Sequence, residues 1–161
     1  CNATCSIQEI DLLEAGVEAM RLAGSPVAEV QFQAQSPDPV LTAILYKENS
    51  TGRHWVGEGT IRGVYRDGLE TASPVTPGSS YTARIAFYPL DAILAPGESW
   101  VLSFGSPTEQ GASTATGFLS LVPAYPGDVF YELETATFTA TLLPASDGLI
   151  VQPAAMDCFT C

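Results

Sequence analysis

Residues 40–68 read VLTAILYKENSTGRHWVGEGTIRGVYRDG, and this stretch decides the fold. Its opening segment VLTAILYK is mostly apolar, which is typical of a central strand covered on both faces. KENSTG supplies turn-forming residues, and RHWVGEGTIRGVYR returns as a second strand. Three glycines in the return, Gly57, Gly59 and Gly63, indicate a bulge or close packing against a neighbouring strand.

The flanking segments repeat the strand pattern on both sides. VAEVQFQAQ (residues 27–35) alternates apolar and polar side chains with a period of two, and SYTARIAFY (residues 80–88) does the same. Residues 6–16 fit either a short helix or a strand. Turn signals recur at short intervals along the whole chain. The pattern therefore predicts an all-β fold, a sandwich or barrel of about nine strands.

Composition places the chain among single globular domains, spanning residues 1–161. Apolar residues make up 46% and charged residues 15% of the 161, against ~25% charged in an average domain. The net charge of -12 excludes a nucleic-acid partner and disfavours anionic membranes. No apolar run reaches the ~20 residues of a transmembrane helix. No leader precedes Cys1, so we expect that any signal peptide has been removed.

Four cysteines lie at the two ends of the chain. They are Cys1, Cys5, Cys158 and Cys161. Disulfides are the favoured interpretation, because the termini of sandwiches often lie close together. Three pairings remain open: Cys1–Cys161 with Cys5–Cys158, Cys1–Cys158 with Cys5–Cys161, or one local bridge at each end. A four-thiolate zinc site, lipidation of Cys1 and bridges between subunits are the alternatives.

Two acceptor triplets for N-glycosylation also point outside the cytosol. Asn2-Ala3-Thr4 lies between the first two cysteines, and Asn49-Ser50-Thr51 lies in the KENSTG turn. Together with the terminal cysteines, they predict glycosylation at Asn2 and Asn49 and an extracellular or cell-surface location.

The sequence shows no catalytic machinery. It contains no Gly-x-Ser-x-Gly elbow and a single histidine, His54, for which we expect a structural or merely exposed role. Apart from the zinc alternative at the cysteines, we expect no metal site and no cofactor, and the scattered acidic residues do not form an Asp-x-Asp-x-Asp calcium loop. Trp55 and Trp100 are candidate residues for stacking on a sugar, and packing in the core is the commoner fate of such rings. The other aromatic candidates are Tyr65, Tyr125 and Tyr131.

The central stretch resembles the C-terminal non-catalytic domain of the X-Pro dipeptidyl-peptidase and cocaine-esterase family. The resemblance rests on LTAILYK, GEGTIRGVYR and PGSSYTARIAFYPLDAILAPGESWVLSFGSP, and it covers about residues 17–122. It implies a jelly-roll, galactose-binding-like β-sandwich. Where the family has a Gly-His-Arg-Leu-Arg-Leu-like strand, this chain has GESWVL (residues 97–102), which keeps the strand and lacks the basic residues. The family's nucleophile lies in another domain, so the resemblance brings no catalysis.

These observations predict a non-catalytic extracellular module. The first hypothesis is a structural subunit that self-associates, or binds other surface proteins, in a surface layer or filament. The alternative is a carbohydrate-binding accessory module with glycans as ligands, which rests on analogy of fold.

Overall fold

The computed structural model describes residues 8–14, 18–105 and 131–145. The predicted disulfide cysteines, Asn2 and Tyr125 lie outside these residues, so their roles stay predictions. No helix in the described segments is long and apolar enough to cross a membrane.

Eight strands and one short 3-10 turn form the described part of the fold. The strands are β1 (Gln8–Glu14), β2 (Met20–Ala34), β3 (Val40–Asn49), β4 (Gly52–Arg62), β5 (Ser80–Ala86), β6 (Leu90–Leu94), β7 (Ser99–Gly105) and β8 (Tyr131–Pro144), and the 3-10 turn is Gly63–Tyr65. The all-β prediction is confirmed. Of the two interpretations of the N-terminal segment, the strand is correct, because β1 pairs with β7 there.

The strands build two antiparallel sheets. Sheet A has the order β1-β7-β3-β4. In sheet B, β5, β6 and β8 all pair with β2. Because β8 pairs with both halves of β2, β5 and β6 share the opposite edge of β2. The 15 residues of β2 are thus long enough to carry two successive short strands on one side.

The main core lies between the inner faces of the two sheets. Alternate residues of β2, among them Val30 and Phe32, pack against Leu41, Leu45 and other residues of sheet A. This follows from the period of two, which sends every second side chain to the same face. The opposite face of β3 is also covered. There Ile44, Tyr46 and Val101 form a second buried cluster, so the prediction that β3 is covered on both faces is confirmed.

Of the three glycines predicted in the return strand, Gly57 and Gly59 lie in β4, whereas Gly63 begins the 3-10 turn. Close packing and a bulge, the two interpretations of these glycines, both occur in β4. A Cβ on Gly57 would lie 2.5 Å from Leu90 Cδ2, and one on Gly59 would lie 2.5 Å from the carbonyl oxygen of Ala86. These glycines therefore let β4 of sheet A approach sheet B closely. A bulge also occurs, because Leu45 pairs with Gly57 while Tyr46 pairs with Trp55. The extra residue on β4 is Val56.

Candidate functional site

The turn between β3 and β4 forms one wall of the candidate site. Asn49 pairs with Gly52, and Ser50 and Thr51 make the two-residue connection between them. The side-chain oxygen of Asn49 accepts hydrogen bonds from the Thr51 backbone N–H at 2.9 Å and from the Thr51 hydroxyl at 2.6 Å. Such bonds from an Asn side chain to a residue two positions on are a common way to stabilise a turn. They hold the Asn49 amide in one orientation.

A groove of about 460 Å³ opens between the end of this hairpin and β6. We call it the hairpin groove. Its lining residues are Lys47, Asn49, His54, Trp55, Val56, Ala92 and Ile93. It combines apolar surface with amide, ammonium and imidazole groups, which is the chemistry of small-ligand sites. The groove also brings together three residues that the sequence singled out separately: Asn49, His54 and Trp55.

Glu98 organises the polar side of the groove. Its carboxylate accepts a hydrogen bond from Asn49 Nδ2 at 3.0 Å and one from the Ala95 backbone N–H at 2.8 Å. It also forms an ion pair with Lys47 Nζ at 3.3 Å. The Ala95 N–H, followed by Asn49 and Lys47, lowers the pKa of Glu98. The carboxylate therefore stays ionised at neutral pH and holds both groove residues.

The two tryptophans have different environments. The Trp55 side chain is 53% exposed on the groove, whereas Trp100 is 2% exposed and packs in the main core. Trp100 is therefore not available to stack on a sugar, which corrects its place among the candidates. Of the two tryptophans, only Trp55 offers a ring face to solvent. Burial raises the pKa of Glu58, and a hydrogen bond between Trp55 and Glu58 opposes that shift.

Tyr65 and Tyr131, the other aromatic candidates that the structure describes, do not join Trp55 in a platform. Tyr131 is buried in the core, and the Arg62 guanidinium lies 5.6 Å from the centre of the Tyr65 ring. His54 is exposed, and its Nε2 lies 3.4 Å from the Thr51 hydroxyl. Among the described residues, Trp55 is the only Trp, Tyr or Phe side chain that lines the hairpin groove.

A second polar cluster lies beside the hairpin and centres on Arg53. Its guanidinium binds Glu9 Oε1 at 2.5 Å and Glu48 Oε2 at 2.7 Å, and it lies 5.5 Å from the centre of the Tyr46 ring. The bond to Glu9 is the largest of the influences that raise the pKa of Arg53. Glu9 belongs to β1 and Arg53 to β4, so the contact links the two edge strands of sheet A.

Sequence reasoning missed Lys47, Glu98 and the β6 residues of the groove. Glu98 lies 49 positions beyond Asn49 in the chain, and no spacing rule connects residues that far apart. Its only local signal is the turn PGES, in which the Glu98 side chain accepts a bond from the backbone of Ala95.

Comparison with known proteins agrees with the fold. The family model described as the X-Pro dipeptidyl-peptidase C-terminal non-catalytic domain matches residues 17–117. No curated protein sequence matches the chain.

Three solved structures illustrate the likeness. The first is an aminopeptidase from the marine sediment archaeon Thaumarchaeota archaeon, with 14% identity, a TM-score of 0.55 and coverage of 85% of this chain and 25% of that one. The second is a CocE/NonD family hydrolase from Staphylococcus aureus, with 14% identity, a TM-score of 0.55 and coverage of 86% and 31%. The third is an α-amino acid ester hydrolase, with 18% identity, a TM-score of 0.55 and coverage of 83% and 23%. The chain thus spans less than a third of each of these proteins, and at such identities the likeness shows the fold alone.

Proposed function

The chain belongs to the family of the X-Pro dipeptidyl-peptidase C-terminal non-catalytic domain, and we propose that it is an extracellular module that self-assembles into a surface layer or filament. The matching family model is described as a non-catalytic domain, and the hydrolases of similar fold are much longer chains than this one. The proposed role is therefore structural, with association between copies as its basis.

The observation that carries the proposal is the outer edge of β8, with which no strand of the described residues pairs. This strand of 14 residues pairs with β2 from Tyr131 to Pro144. Among the described residues, no strand pairs with its other edge. Backbone N–H and C=O groups alternate between the two edges of a strand, so a strand edge without a neighbouring strand offers donors and acceptors for pairing. A strand from a second copy can satisfy them by β-augmentation.

The composition of β8 supports the same conclusion. Residues 135–143 read TATFTATLL, with no charge and no proline. The other edge strands of the described sheets carry charged side chains, for example Glu9 in β1, Arg53 in β4, Arg84 in β5 and Asp91 in β6. Charges and prolines on edge strands are the usual protection against pairing between molecules. Their absence from most of β8 favours a second copy of this chain as the partner.

Sedimentation velocity at neutral pH, combined with imaging of the native protein, tests this role. We expect assemblies much larger than the 17.0 kDa monomer. Thr137→Lys should dissolve them, because it places a charge on the exposed edge strand. Gln31→Lys is the matched control, since Gln31 is exposed on the central strand β2 and adds the same charge away from an edge. A wild-type protein that stays monomeric at high concentration would contradict the proposal.

The exposed Trp55 favours carbohydrate binding as a second candidate function. An aromatic face beside amide and ammonium groups suits the mixed apolar and polar surfaces of a sugar. A glycan array followed by titration calorimetry tests it, with Trp55→Ala expected to abolish binding. Saturable binding that survives this substitution, or no binding across the array, rejects the hairpin groove as the site.

A further inference from the structure

We propose that Asn49 carries an N-linked glycan whose first sugar packs on the Trp55 indole in the hairpin groove. The proposal goes beyond self-assembly and does not depend on it. It starts from two facts about one place in the fold. Asn49 begins the acceptor triplet Asn49-Ser50-Thr51, and Asn49 and Trp55 both line the groove. A sugar attached to Asn49 therefore begins beside the exposed aromatic side chain.

The hydrogen bonds of the Asn49 side chain leave one position open for the sugar. Its oxygen accepts from Thr51, and its Nδ2 donates to Glu98 at 3.0 Å. A primary amide has two N–H bonds, and a glycosylated amide keeps one. The bond to Glu98 can therefore persist after modification. With the oxygen and the remaining N–H both held, the new bond from Nδ2 has a fixed direction.

The groove has the chemistry to receive that sugar. Trp55 is 53% exposed and Ile93 is 38% exposed, so both offer apolar surface that an attached sugar would cover. The Lys47 ammonium and the exposed His54 ring line the same groove and can bond to hydroxyl groups. Its volume of about 460 Å³ lies within the range of roughly 300–1,000 Å³ of small-ligand pockets.

The modification is a substitution at the anomeric carbon of a sugar joined to a pyrophosphate carrier, catalysed by a transferase of the producing cell. A bond forms between Asn49 Nδ2 and the anomeric carbon as the carbon–oxygen bond to the carrier breaks. The pyrophosphate leaves with the bonding electron pair, and the amide proton passes to a base of the transferase. No electrons are gained or lost by the protein.

The test uses the complete chain, produced with Asn2→Gln in a secretory host that transfers N-linked glycans. Mass spectrometry of peptides then reports the glycan at Asn49 alone. Acrylamide quenching of tryptophan fluorescence reports its position, because the chain has two tryptophans and Trp100 is buried. We expect the quenching constant to be severalfold lower in the glycosylated protein than in the same chain made without glycans.

A second glycoprotein supplies the matched control. Thr71→Asn creates an acceptor triplet with Ala72 and Ser73 in an exposed loop beyond the far end of β4, and it is combined with Asn49→Gln. Its glycan should leave the quenching constant unchanged.

Three outcomes overturn the proposal. In the first, Asn49 stays unmodified while the site at position 71 is modified. In the second, Asn49 is modified but Trp55 remains as accessible to acrylamide as in the unglycosylated chain. In the third, free oligosaccharide protects Trp55 while the attached glycan does not, and this outcome supports the second candidate function instead.

Discussion

A Cβ placed on Gly59 of β4 would lie 2.5 Å from the carbonyl oxygen of Ala86 in β5. The glycine therefore permits a direct approach of the two sheets at this side of the sandwich. A backbone oxygen cannot rotate away as a side chain can, so an added methyl group forces the strands apart.

Gly59→Ala should therefore lower the free energy of unfolding by about 1–3 kcal/mol, the usual range for overpacking. Gly57→Ala is the comparison, because a Cβ there meets the flexible Leu90 side chain. We expect it to cost less. Urea unfolding followed by circular dichroism measures both variants, and equal costs would contradict a backbone origin of the Gly59 effect.

The two tryptophans should differ sharply in their contribution to stability. Trp100→Ala removes a ring that is 2% exposed and should cost about 3–5 kcal/mol, as for other large aromatic side chains in cores. Trp55→Ala, at a side chain 53% exposed, should change the free energy of unfolding by only about 0.5 kcal/mol. The same urea experiment compares them. A large loss in the Trp55 variant would mean that this ring is structural and not available to a ligand.

The carboxylate of Glu98 should make stability depend on pH in acid. Its pKa is lowered in the folded protein, chiefly by the Ala95 N–H and then by Asn49 and Lys47. A depressed pKa contributes stability above the ordinary value of about 4.5, and the contribution is lost as the pH falls through the folded-state pKa. Glu98→Gln should therefore be less stable than wild type at pH 7.

This difference should shrink as the pH falls below about 4.5. Thermal unfolding at a series of pH values measures it. A difference that grows toward acid would contradict the assigned direction of the pKa shift. Glu70→Gln controls for the loss of one negative charge. Glu70 is exposed in a loop, and it takes no part in the contacts of Glu98 with Ala95, Asn49 and Lys47.

Arg53 should hold β1 against the rest of sheet A. Arg53→Gln removes the ion pairs with Glu9 and Glu48, and both pairs are partly exposed, so we expect each to contribute only about 0.2–1 kcal/mol. The clearer signature is local. Hydrogen exchange at the backbone of β1 should accelerate in the variant, and added salt should reduce the difference from wild type. Unchanged exchange in β1 would show that its pairing with β7 suffices.

The strands were predictable from the sequence because apolar and polar side chains alternate between near neighbours along each strand. The period of two in VAEVQFQAQ and SYTARIAFY gave β2 and β5 the correct inner faces, and the apolar run of β3 correctly indicated cover on both sides. The turn at Asn49 was equally local, since its bonds reach only to Thr51. The family resemblance rests on the same short-range patterns, and the family match over residues 17–117 confirms it.

The placement of the two tryptophans was decided only by the tertiary structure. Both lie in strands. Trp100 lies in a strand with buried residues on both faces, so alternation alone does not indicate whether its ring faces the core or solvent. Trp55 lies next to the bulge at Val56, which changes the register of β4 against β3. A bulge depends on the pairing of two strands and leaves no reliable mark in either one.

The sequence by itself thus determined an all-β module of a non-catalytic family, with a turn at Asn49, because strand and turn preferences act between near neighbours. The tertiary structure decided that Glu98 meets Asn49 and Lys47, that β6 closes the groove beside Trp55, and that β8 ends sheet B with one edge unpaired among the described residues. These features depend on which distant strands become neighbours. That choice is made by the packing of the whole sandwich and not by any one segment.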